Sequence, residues 1–144
     1  MQISTRFSIS THMLLCVATL ADSYKMTSEF MASSVGVNPV IIRKLSAQLK
    51  KHGLLNIPPG TGGATLARPA AEITLYDVYQ AVGSVDEKCI FNMHERPNPA
   101  CVIGRNIEPL LDTHMRAAQQ ALEDSLKHAT IADLAAGIKN SAAS

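Results

Sequence analysis

Residues 38–53 read NPVIIRKLSAQLKKHG, and this stretch constrains the fold more tightly than any other. Asn38 is a strong helix cap. Pro39 suits the first helical position, where its missing N–H is not needed. Gly53 supplies the stop. The interval therefore predicts a helix with sharp ends. Ile41, Leu45 and Leu49 form its inward stripe, helped by Ile42. Val40, Arg43, Lys44, Gln48 and Lys51 point elsewhere. A basic, outward-facing helix of this kind needs other elements to cover its apolar side.

The flanks supply them. RFSISTHMLLCVATLADS places Phe7, Ile9, Met13, Leu14, Val17, Ala18, Leu20 and Ala21 at helical offsets, with Cys16 among them as a packing residue. MTSEFMASSVGV predicts a short second helix, capped by Thr27 and ended by Gly36. After Gly53 the period changes. LLNIPP and ATLARP are strand-like runs on either side of PPGTGG, which is the pattern of a hairpin with a flexible tip. TLYDVYQAVG returns to helix, with Thr74 and Asp77 placed for a capping box. Residues 84–105 are irregular. A long helix is expected to begin near Asn106, with Pro109 tolerated in its first turn and a stripe of Ile107, Leu111, Met115, Ala118, Leu122 and Leu126. TIADLAAGIKN closes the chain as a helix capped by Thr130, with Ile131, Leu134, Ala135 and Ile138 apolar. The expected fold is mainly α with a small β-hairpin wing: a winged helix-turn-helix domain over 1–83, a linker over 84–105, and a long helix with a final helix over 106–144.

Charge narrows the function. Residues 1–68 carry seven basic and two acidic side chains, while 69–144 carry six basic and ten acidic ones. Only the front half is suited to a polyanion. No apolar run is long enough for a membrane span, no signal peptide is evident, and three cysteines are an odd number. The cytoplasm is the expected location. No phosphate loop, nucleophile elbow or paired carboxylates stand out, so an enzyme is not expected. His12, His52, His114 and His128 show no metal-pair spacing.

Three helices, the third basic, followed by a hairpin make the order of a winged helix-turn-helix. Its third helix enters the major groove of double-stranded DNA by its N-terminal end. Asn38, Pro39, Val40, Arg43 and Lys44 would then lie nearest the bases and phosphates. Gly62 and Gly63 would let the wing tip approach the minor groove, and Arg68 could reach a phosphate. Thr5 and Arg6, opening the first helix, complete the candidate DNA-facing set. A solvated basic helix without a partner, or a protein-interaction module without DNA binding, is the alternative reading.

The stretches ISTRFSISTHMLLCVATLA, VNPVIIRKLSAQLKKHGLL and GTGGATLARPAAEITLYDVYQAVG resemble the Rrf family of bacterial winged-helix regulators, which includes the IscR, NsrR and CymR types. The most specific part is a Gly-Gly tip running into Leu66-Ala67-Arg68-Pro69 and Glu72-Ile73-Thr74-Leu75. The resemblance covers about the first 105 residues well, and the architecture to the end. Ala64 departs from it, since the family usually has an aromatic just after the glycine pair. The resemblance implies a homodimeric transcription factor, usually a repressor, on a palindromic operator, with the long helix crossing its twin at the two-fold axis. Independently, a helix of about 23 residues is ~35 Å long, more than so small a domain needs for its own core. Packing of its stripe within one chain is the other possibility.

In the iron–sulfur members, three linker cysteines hold a cluster. Cys89 and Cys101 resemble the first and third. Glu95, beside His94, stands near the second, and the further ligand would fall near Gly104. A cluster normally wants four soft ligands, mostly thiolates, and two Cys with one His fall short. The spacing is also loose for zinc. Three readings of Cys89, Cys101 and His94 stay open: a bound cluster or metal, a thiol switch near the dimer helix, or a linker without chemistry. No cofactor is expected, with an iron–sulfur cluster as the alternative.

Overall fold

The computed structural model describes residues 5–60, 63–83 and 93–142. Six helices and one small sheet follow in the order α1 (Thr5–Leu20), α2 (Ser28–Val35), α3 (Pro39–Lys51), β1 (Leu55–Asn56), β2 (Thr65–Leu66), α4 (Leu75–Val82), α5 (Val102–Lys127) and α6 (Ile131–Ala142), with a 3-10 turn at Ala70–Glu72. The sheet is the expected hairpin. Its antiparallel register pairs Leu55 with Leu66 and Asn56 with Thr65.

The helix ends form as their local chemistry dictates. The Thr27 hydroxyl accepts from the Phe30 amide, and Gly36 closes α2 at φ 85°. The Asn38 carboxamide accepts from the Val40 amide at 2.9 Å, with Pro39 in the first turn. Thr74 and Asp77 complete a reciprocal capping box, and Thr130 with Asp133 repeats it at the start of α6.

α1 packs against α2, α3, α4 and α6. Met13, Leu14, Met31, Ile42, Leu49, Leu54, Leu55, Ile73, Val78 and Ile131 are fully buried around it. Each such side chain stabilises the fold by ~1.5–3 kcal/mol relative to exposure. Cys16 is buried among them, as its position in the α1 pattern suggests.

Two sequence expectations are corrected here. The inward stripe of α3 is Ile42, Leu45, Ser46 and Leu49, and Ile41 is 39% exposed. Offsets of three, four and seven from Ile42 hold one face, whereas repeated steps of four from Ile41 drift off it. The long helix begins at Val102 rather than near Asn106, with Cys101 as its N-cap residue. Pro109 is therefore its eighth residue, inside the helix and not in its first turn. The proline lacks the N–H that would have bonded the Arg105 carbonyl.

After α5 the chain returns to the head. The Leu75 amide donates to the Ala129 carbonyl and the Ile131 amide to the Ile73 carbonyl, both at 2.9 Å. Ile131 and Ala135 of α6 are buried, Leu134 is half-buried, and Ile138 is exposed. α5 differs from every other helix of this length or shorter: none of its 26 residues is buried.

Candidate nucleic-acid interface

Because Ile42, Leu45 and Leu49 anchor α3, the remaining side chains of its first two turns face outward. Val40, Ile41, Arg43 and Lys44 are all exposed. Arg43 and Lys44 are cationic, and Val40 and Ile41 present carbon. Asn38 is engaged in its cap, which fixes the backbone at the end of α3 where these side chains emerge.

Arg43 is paired. Its Nη2 donates to Oε1 of Glu29 at 2.8 Å, across the turn that joins α2 and α3. The Glu29 carboxyl is held below the usual carboxylate range, first by its own backbone amide in the first turn of α2 and then by the Arg43 guanidinium. Sequence reasoning missed Glu29. No periodicity links residues fourteen apart on two helices, and only the helix-turn-helix geometry brings them together.

The wing is tied down at its base. Gly63 has φ 79°, and a Cβ there would stand 2.6 Å from the Met26 backbone nitrogen. The next amide, of Ala64, donates to the Met26 carbonyl at 2.9 Å, and Ala64 is buried. Between wing, α2 and α3 lies a cavity of about 510 Å³ lined in part by Met26, Glu29, Arg43, Ser46, Lys50 and Gly63. Gly62 lies outside the described residues.

The other sequence-derived candidates are dispersed. Arg68 leaves β2 and pairs with Asp77 of the α4 capping box at 3.4 Å, so its guanidinium joins wing to helix. Thr5 is exposed and Arg6 half-buried in the first turn of α1.

In the segment before α5, His94 and Cys101 are exposed, and Cys89 lies outside the described residues. The Cys101 thiol is shifted toward its thiolate by the backbone amides of Gly104 and then Ile103 at the start of α5. A Cβ at Gly104 would overlap the Asn98 carbonyl, so glycine is required where the segment folds back on the helix. That leaves no room for a ligating side chain at this position. Among the described residues no three His, Cys, Asp or Glu side chains converge. No helix among the described residues is long and apolar enough to cross a membrane.

A family model described as Rrf2, iron-dependent transcriptional regulator, matches residues 3–137. The chain is 35% identical over 132 residues to YwnA of Bacillus subtilis (strain 168), which carries the name of an HTH-type transcriptional regulator. The match covers 92% of this chain and 96% of that protein. A crystal structure of a regulator from Lactobacillus plantarum superposes with a TM-score of 0.75 at 27% identity, over 95% of this chain and 91% of the other. CymR, the global cysteine regulator of B. subtilis, shares the fold with a TM-score of 0.68 at 20% identity, over 94% and 97%.

Proposed function

The chain belongs to the Rrf2 family of transcriptional regulators, and from that premise we propose that it is a homodimeric repressor that reads a palindromic DNA operator with α3. The observation that carries this reading is the outward face of α3. Val40, Ile41, Arg43 and Lys44 are exposed on a helix whose other side is locked into the core. Arg can bond a guanine edge in two places, Lys holds phosphate, and Val and Ile suit the methyl group of thymine.

The dimer reading is supported by α5. Its 26 residues span ~39 Å. Ile103 and Leu110 are 69% and 66% exposed, and Val102 is exposed beside them. Apolar side chains left uncovered along a long helix favour association, and a two-fold pair of α5 helices would present two copies of α3 to two half-sites. Repression, rather than activation, is the choice the family resemblance favours, since the family's members are usually repressors.

Regulation enters, in this reading, at the segment before α5. Cys101 is exposed, favours the thiolate, and stands at the N-terminal end of the helix assigned to the dimer. A peroxide that oxidises Cys101, so that a disulfide closes with Cys89 or with a thiol of a second chain while the peroxide is reduced to water, would alter the spacing of the reading heads. Iron is named in the description of the family model, but Cys89, Cys101 and His94 are fewer soft donors than a cluster normally takes, so this reading needs no cofactor. A thiol-responsive regulator of this kind belongs in the cytoplasm.

Sedimentation of the protein alone and with an operator duplex tests the proposal. Two chains in the free protein and two per duplex are expected. A monomer bound singly to DNA would contradict it.

A further inference from the structure

The ion pair between α2 and α3 has a geometry that general charge attraction does not require. Glu29 projects from α2, which is fixed by the Thr27 cap, by Gly36, and by the buried Met31 and Ala32. Arg43 projects from α3, fixed by Asn38, Ile42 and Leu45. Both partners therefore stand on rigid helices, and their single contact is Nη2 to Oε1 at 2.8 Å. Both side chains are more than half exposed, so the pair adds little to the stability of the fold. A guanidinium has five N–H donors in a planar fork. The contact with Glu29 leaves donors over, on a side chain already held at the start of the candidate recognition helix.

We propose that Glu29 is a positioning residue for base recognition: its carboxylate holds the Arg43 guanidinium in one orientation, so that the remaining donors read a guanine. This rests on the DNA-reading role of α3 proposed above. An unrestrained arginine has many rotamers and settles as readily on a phosphate as on a base. A carboxylate beside it restricts the rotamers and repels the phosphate at the same time. The pair thus gives up some general affinity for discrimination between sequences.

The test uses the full chain. Wild-type protein first selects its operator from a pool of random duplexes. Dissociation constants are then measured at one salt concentration for that operator, for its guanine-substituted versions and for a scrambled duplex. Glu29→Ala removes an anion from the interface, so scrambled DNA should bind roughly threefold tighter. The ratio of operator to scrambled binding should fall about tenfold, with the loss confined to one guanine position. Glu29→Gln keeps an acceptor for Arg43 and should retain most of that ratio. A role limited to charge would look different: both variants would shift both duplexes by the same factor. An unchanged ratio in Glu29→Ala overturns the proposal while leaving DNA reading by α3 intact. If wild-type protein selects no sequence, or Arg43→Ala keeps the full ratio, the assignment of Arg43 fails and this proposal with it.

Discussion

Arg43 and Cys101 are exposed side chains whose surroundings give each a stated chemistry. Arg43→Ala should weaken operator binding by ~1–3 kcal/mol, as expected for loss of a base contact. Fluorescence anisotropy with labelled operator measures this, and an unchanged affinity would remove the arginine from the interface. For Cys101, the Gly104 and Ile103 amides favour the thiolate, so at neutral pH it should react with iodoacetamide well before the buried Cys16. Peptide mapping by mass spectrometry distinguishes the two; equal labelling of both would contradict the assigned environments. The caps at Thr27, Asn38, Thr74 and Thr130 were legible in the sequence because each depends on neighbours two or three residues away. The Glu29–Arg43 pair and the Asp77 partner of Arg68 were not. Both are made across elements, where sequence distance carries no information.

At the scale of elements, the orientation of α3 decides which residues are free to meet DNA and which hold the fold. Ile41 and Ile42 are adjacent and equally apolar, so periodicity alone leaves one residue of ambiguity. Packing against α1 and α2 resolves it in favour of Ile42. Ile42→Ala should destabilise the protein by ~2–4 kcal/mol. Ile41→Ala should cost less than ~1 kcal/mol in stability and act on DNA affinity instead. Chemical denaturation of the two variants checks this, and equal destabilisation would mean that α3 is turned differently. The wing offers a second check. Gly63→Ala faces both a left-handed backbone conformation and the Met26 backbone, so it should lower stability by at least ~1–3 kcal/mol and detach the wing from the segment that precedes α2. The start of α5 was misplaced in the sequence because Pro109 reads as a first-turn proline. The structure instead tolerates it in the interior, at an exposed position of a helix in which no residue is fully buried.

For the whole molecule, the fold divides into a packed head and a helix without a buried residue. The order of helices and hairpin was legible because each element carries its own period and caps. Whether the α5 stripe packs within the chain was not, since a stripe facing a second chain and a stripe facing its own core have the same spacing. Leu110→Glu places a charge on the exposed α5 surface. It should leave the head folded, shift the protein to monomers in sedimentation, and weaken operator binding at least about tenfold through loss of the second half-site. A dimer that survives the charge would place the interface elsewhere. Titration of the protein onto a fragment from upstream of its own gene, over a range of salt concentrations, decides whether the basic face of α3 reads duplex DNA. Specific binding is expected, with a log affinity that falls linearly and steeply with log salt. Absence of binding at low salt, to this or any neighbouring fragment, would contradict that role of α3.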